Sequence, residues 1–366
     1  MMNAIRRRRP GCRVLLSCCA NVFAAAAIVG LGATEAGAQV PTCFGVPATT
    51  TGTTGTSGRD VIVGTAGPDV INGLGGDDLI CGLGGDDRLR GGSGNDSIDG
   101  GDGNDGVVGD SFDATGVTGA TGTDRLLGGA GDDSLVGDNS AGFQGTASGA
   151  ARDSLYGGPG DDSLVGDSNG ESASGGASDR LEGGEGNDSL IGDSLAFFNA
   201  SGAGDDVLLE GPGELGDATG DSVSIVGNAS GAGGDDIVDL GADGGTIAIG
   251  DHAASQGTAI GSGNDRITGG SAGEFEIVGD SGLGDPSGAT AGHDQISGRG
   301  GDDVLFGDNV GPDGSVTTVG GSDRIDAGSG NDTLRGGPAN DFLNGSSGTD
   351  DCDGEAGVDF ETNCEV

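Results

Sequence analysis

From Gly55 to Val108 the chain repeats itself every nine residues, six times without a gap: GTSGRDVIV, GTAGPDVIN, GLGGDDLIC, GLGGDDRLR, GGSGNDSID and GGDGNDGVV. Glycine opens each unit and returns at the fourth position. Aspartate holds the sixth (Asp60, Asp69, Asp78, Asp87, Asp96, Asp105) and an aliphatic residue the eighth (Ile62, Ile71, Ile80, Leu89, Ile98, Val107). A unit with one aliphatic buries almost nothing alone, so it must stack on its neighbours, as solenoid repeats do. The last three residues of each unit are expected to form a short strand with one inward aliphatic. A Gly/Asp-rich disordered linker gives no reason for an aliphatic at every eighth position.

Glycine at the first, second and fourth positions lets the backbone turn through positive φ and approach closely. Such a turn points several carbonyl oxygens at one spot, and the aspartate that ends it adds an anionic oxygen. This hard, all-oxygen set suits calcium, which takes six to eight oxygens at flexible geometry; magnesium demands tighter geometry and keeps its waters. Zinc is poorly served, because neither thiolates nor imidazoles recur with the repeat.

The units resemble the haemolysin-type (RTX) calcium-binding repeat, G-G-x-G-x-D-x-U-x. The resemblance covers roughly residues 55–350 and implies an all-β parallel β-roll, with calcium between stacked turns. Successive units would form alternate sides, so that Asp60 stacks with Asp78 and Asp96, and Asp69 with Asp87 and Asp105. Many proteins of this family carry the repeats behind a catalytic or toxin domain and leave through a C-terminal secretion signal. This chain has an N-terminal leader instead and is expected to consist of repeats alone.

After Val108 the rhythm lengthens. Units such as GGAGDDSLV (128–136), GGPGDDSLV (157–165), GGEGNDSLI (183–191) and GRGGDDVLF (298–306) alternate with insertions that open at Gly109, Gly137, Gly166, Gly192, Gly250, Gly279 and Gly307. Where the spacing is regular these openings lie 26 to 29 residues apart. Each insertion begins Gly-Asp and leads to a looser unit ending in Asp-x-aliphatic. One coil is then two strands, joined on one edge by a tight turn and on the other by a long Ser/Ala/Thr/Gly-rich loop. Further candidate calcium ligands in this part are Asp124, Asp133, Asp153, Asp162, Asp179, Asp188, Asp294, Asp303, Asp323, Asp332 and Asp341. Between about 210 and 276 the turns lose the motif, and weaker calcium binding than in 55–108 is expected there. Ile225, Ile247 and Ile277 are read as keeping the strand rhythm.

The ends carry other signals. Arg6 to Arg9, an apolar run over 14–31 and Ala36-Gly37-Ala38 read as a secretory signal peptide of residues 1–38. The paired arginines leave the general and twin-arginine export routes both open. Cleavage would leave ten basic against 58 acidic residues, a net charge of −48. Such a charge argues against nucleic acid and anionic membranes as partners. No later segment approaches the ~20 apolar residues of a membrane span. Four cysteines remain, one pair near each end, as suits disulfides in an exported protein. Of three formal pairings, Cys43–Cys81 and Cys352–Cys364 are favoured because each is local in sequence. Residues 39–54 are a Thr/Gly-rich lead-in, either linker or N-terminal cap; 55–108 form the regular roll, 109–350 the roll with insertions, and 351–366 a disulfide-closed cap.

These features point to a secreted protein that folds on binding extracellular calcium and is not an enzyme, with a structural or surface-interaction role. A calcium-dependent adhesin or glycan-binding protein, meeting an extracellular glycan or cell surface, is the alternative. A solenoid polysaccharide-degrading enzyme is the remote one. Neighbouring aspartates such as Asp77-Asp78 imitate an acid/base pair, but they recur at a fixed repeat position, which fits a repeated role. His252 and His293 are read as lone surface histidines, and no nucleophile–base set stands out. Roughly twelve coils at a rise of about 4.8 Å would make a rod about 55 to 60 Å long.

Overall fold

The eighth-position aliphatics meet in one continuous core. Ile62, Ile71, Ile80, Leu89, Ile98 and Val107 are all fully buried, and the same column runs on through Leu126, Leu155, Leu181 and Leu208 to Leu343. The computed structural model describes residues 40–365 apart from 51, 120, 143, 214–215, 275, 285–289, 312–314 and 316. The expected leader, 1–38, lies outside the described residues. Among the described residues every regular element is a strand, and no helix is long and apolar enough to cross a membrane.

Two parallel sheets enclose the core. The first has 13 strands, from Val61–Val63 to Phe360–Thr362, and the second has 12, including Val70–Gly75 and Asp351–Asp353. Successive units alternate between the sheets, because the chain reverses at each glycine turn. Equivalent positions stack in register: Leu126 pairs with Leu155, Leu155 with Leu181 and Leu181 with Leu208. This is the parallel β-roll that the repeat implies.

The insertions are more ordered than loops. Their short strands, such as Ser140–Ala141, Thr146–Ser148, Asn169–Ser174 and Leu195–Ser201, form a third parallel sheet of 10 strands. Alanine makes this possible, since Ala147, Ala173, Ala196, Ala200, Ala229 and Ala254 are buried and let the two arms of each insertion pack closely. A second apolar seam joins the insertions to the second sheet: Val136, Val165 and Ile191 are buried there, packed by Leu195 and Val223. Ile249 and Val278 continue it. These are ninth-position residues, and the ninth residue is arginine at Arg90 and Arg335, where a tight turn follows.

One detail departs from the sequence reading. Ile225 does not keep the strand rhythm; it lies outside the strands, 46% exposed, while Ala218 and Ala248 take the core positions of that stretch. Ile247 and Ile277 do keep it, in the strands Ile247–Ile249 and Glu276–Val278, Ile247 half-buried and Ile277 in the core. The tail after Cys352 continues the solenoid, since Asp351–Asp353 pairs with Thr333–Arg335 and Phe360–Thr362 with Phe342–Asn344.

Both disulfides have the favoured pairing, Cys43–Cys81 at a Cα separation of 5.6 Å and Cys352–Cys364 at 5.8 Å. The first ties the short hairpin of Thr42–Cys43 and Val46–Pro47 to the first sheet, and the Thr49 N–H donates to the Val61 carbonyl at 2.9 Å.

From the third unit onward the turns approach so closely that most fourth-position glycines leave no room for a side chain, although Ala339 takes that place in one unit. Gly160 has φ +146°, and a Cβ there would overlap the Gly131 carbonyl of the preceding coil. Gly119, in an insertion, has open space around it. Gly160→Ala should therefore destabilise the folded protein by about 2 kcal/mol or more, and Gly119→Ala by no more than about 0.5 kcal/mol. Denaturant unfolding in saturating calcium measures both; equal effects would mean that the turns are not closely stacked.

Candidate metal centres

Each sixth-position aspartate directs its two carboxylate oxygens to different tasks. Oδ1 accepts a hydrogen bond from the backbone N–H of the equivalent aspartate in the preceding coil. Asp60 donates to Asp78 at 2.7 Å, Asp78 to Asp96 at 2.7 Å, and Asp96 to Asp124 at 2.7 Å. This ladder follows the long-loop edge through Asp153, Asp179, Asp206, Asp236, Asp265, Asp294, Asp323 and Asp341 to Asp359. A second ladder runs along the tight-turn edge, from Asp69 through Asp87, Asp105, Asp133 and Asp162 to Asp188. It resumes from Glu274 through Asp303, Asp332 and Asp350. The two stacks expected from the alternation of units are thus joined by hydrogen bonds.

Oδ2 has no such partner. In Asp78, Asp87, Asp96, Asp105, Asp124 and Asp133 it is buried without a hydrogen bond, as it is in Asp153, Asp162, Asp179, Asp188, Asp294, Asp303, Asp323, Asp332 and Asp341. It lies where the first glycine of the turn would carry a Cβ, beside a carbonyl oxygen of the next coil. At Gly100 that hypothetical Cβ would meet Asp105 Oδ2, with the Gly128 carbonyl 2.5 Å away. At Gly100 these two oxygens occupy the space that a side chain would take. Asp60 and Asp69 are exceptions among the candidates. Their Oδ2 atoms accept the backbone N–H of Thr56 and Thr65, each at 2.6 Å, so threonine at the second position closes the first two turns.

The sequence reading missed carboxylates of three kinds. Asp206 stands just before the stretch where the motif fades and Asp236 and Asp265 lie within it, yet all three occupy the long-loop ladder with buried, unpartnered Oδ2. The triplets Asp206-Val207-Leu208, Asp236-Ile237-Val238 and Asp265-Arg266-Ile267 carried the signal. On the tight edge Gly216 and Thr246 follow Asp188 in register, and the ladder lapses. Glu210 and Glu274 bring buried carboxylates there from other backbone positions. The third kind is the aspartate of each Gly-Asp pair: Asp110, Asp138, Asp167, Asp193, Asp221, Asp251, Asp280 and Asp308 are essentially fully buried. Gly220-Asp221 is one of these pairs and was overlooked.

His252 is buried, not a surface histidine. It follows Asp251 in the insertion layer, where Nδ1 accepts the Ser222 N–H at 3.2 Å and burial drives the imidazole down to about 3. His293 is exposed. The arginine ion pairs among the described residues go to Glu182, Asp239 and Asp351, none of them a ladder residue.

Carboxylates so placed resist ionisation. Burial, reinforced by the carboxylates of Asp138, Asp179 and Asp124, pushes Asp153 up to about 11. Burial likewise raises Asp124 to about 9, Asp133 to about 7 and Asp162 to about 6. Only protons or bound cations can neutralise such files. An all-oxygen set of carboxylate and carbonyl groups fits calcium in its chemistry.

Fold and site together define a parallel β-roll with carboxylate files along its turns. A profile of the RTX calcium-binding nonapeptide repeat matches residues 54–89, 82–115, 118–141, 147–169, 174–194, 261–272, 289–309, 317–352 and 326–361. The chain belongs to this family and is a calcium-binding repeat protein. The matched residues stop at 194 and resume at 261, which brackets the lapse of the tight-edge ladder. No curated protein matches the chain.

The raised pKa values set the pH dependence of the metal-free protein. Folded carboxylates keep protons that the unfolded chain releases near pH ~4. Stability is therefore full below that pH and is lost as pH rises through the folded values, from about 6 for Asp162 to about 11 for Asp153. Metal-stripped protein should show more β signal by circular dichroism at about pH 5 than at about pH 8. A signal that grows with pH would contradict the assignment.

Proposed function

We propose that the protein is secreted, folds as it binds extracellular calcium, and then serves as a non-catalytic scaffold. The observation that carries this reading is the file of buried, unpartnered Oδ2 atoms beside carbonyl oxygens on both edges. Ionised and without cations, these groups repel one another in a poorly solvating interior. A ligand that binds only the folded form adds its binding free energy to stability. Extracellular calcium modules bind at roughly 10⁻⁴ to 10⁻³ M, a level that external fluid supplies and cytosol does not. The chain would then leave the cell unfolded and close outside it. The leader at 1–38 and the two disulfides support export.

A second reading, calcium-dependent binding of an extracellular glycan or cell surface, is favoured by aromatic rings on the insertion strands. Phe112, Phe197 and Phe198 are each between 36% and 40% exposed; the Arg90 guanidinium lies over the Phe112 ring and Phe197 meets Phe198 edge to face, and the ring surface left exposed suits contact with sugars.

Circular dichroism of protein lacking residues 1–38, titrated with calcium against a magnesium control, tests the coupling. In chelator near pH ~8 the spectrum should be that of an unfolded chain. Calcium should restore the β signal with a midpoint of roughly 10⁻⁴ to 10⁻³ M, and equal magnesium should do much less. A variant carrying Asp78→Asn, Asp87→Asn and Asp96→Asn keeps the Oδ1 acceptors while removing charge at Oδ2. It should need several-fold more calcium to reach its midpoint. An unchanged β spectrum in excess chelator would sink the proposal.

A further inference from the structure

The aspartates of the Gly-Asp pairs belong to no nonapeptide turn. Each stands immediately after the first glycine of an expanded turn, where the repeat has glycine. One of its oxygens closes the base of the insertion: Gly204 N–H donates to Asp193 Oδ2 at 3.3 Å, Gly234 to Asp221 Oδ2 at 3.3 Å, and Gly263 to Asp251 Oδ2 at 3.1 Å. A loop staple needs no more than that. Yet the other oxygen, Oδ1, is buried and unpartnered in all three residues, each 0% exposed.

The carboxylates of these residues also converge with those of the neighbouring ladder. Asp193, Asp206 and Asp221 offer carboxylate oxygens that all lie within 4.8 Å of one another, and so do Asp221, Asp236 and Asp251. Two oxygens bound to opposite sides of one calcium at about 2.4 Å are about 4.8 Å apart.

We propose that the long-loop edge carries a second class of divalent-cation site, distinct from the glycine-turn sites. It is built from two successive Gly-Asp aspartates and the ladder aspartate between them, and it takes calcium. Asp221 is common to both groups, so adjacent ions share a carboxylate and form a file. The file runs through the stretch where the tight-edge ladder lapses, and so places bound charge where the nonapeptide motif supplies least. This extends the calcium reading above and rests on Asp206 and Asp236 acting as ligands.

Equilibrium dialysis of the full chain against calcium-45, with circular dichroism of each sample, separates the two claims. Asp221→Asn keeps an acceptor for the Gly234 N–H and removes a ligand from both groups; the variant should fold in calcium and bind about two fewer ions. Asp193→Asn touches one group and should lose about one, which keeps the test decisive if Asp221→Asn fails to fold. Asp87→Asn with Asp133→Asn removes ligands on the tight edge only. Loss of ions in that control, with unchanged stoichiometry in both Gly-Asp variants, overturns the second site class alone. A wild-type chain that binds no calcium overturns it together with the general reading.

Discussion

The backbone N–H of one coil donating to the aspartate Oδ1 of the next is the contact on which the rest of the structure depends. It fixes the register between coils, and it holds every sixth-position carboxylate at the same depth beneath the turn. The second oxygen is thereby left inside, beside a carbonyl and without a donor. Like charges stacked at the strand spacing, about 4.8 Å apart, repel strongly in a medium of low dielectric. The geometry that builds the solenoid therefore creates the demand for a cation.

The core does not meet that demand alone. Each rung contributes one inward aliphatic, such as Leu155 or Leu181, and aromatic residues make up only 3% of the chain. Substituting one such leucine by alanine would cost about 2 to 5 kcal/mol, a large share of the stability of any domain. The disulfides close the two ends, where a stack has only one neighbour to pair with. Along the middle, the insertion sheet adds an alanine-lined layer and an apolar seam over the second sheet. The stack is thus held by nearest-neighbour contacts, as a one-dimensional assembly requires.

Much of this was legible in the residues. The eighth-position aliphatics located the core, the alternation of units assigned Asp60, Asp78 and Asp96 to one edge, and locality paired the cysteines. The insertion sheet was hidden because Ser/Ala/Thr/Gly composition reads as loop, and its strands, often two or three residues long, show no alternation of large apolar side chains. The ninth position held the missing signal, turning from Arg90 to Val136, Val165 and Ile191 where an insertion follows. Asp236 and Asp265 were missed because the glycines around 210–276 fade, and Asp206 because it borders that stretch, although Asp-x-aliphatic persists at all three. Ile225 and His252 misled for a related reason: the third sheet decides what is buried, so residue type alone placed both on the wrong side.

The most direct test of the account is a crystal structure of the calcium-loaded protein with anomalous difference density collected near long wavelength. The account predicts peaks beside the Oδ2 atoms of both ladders, with a break on the tight edge between Asp188 and Asp303 and none on the long-loop edge. Ladders intact, with no anomalous density at any Oδ2, would contradict it.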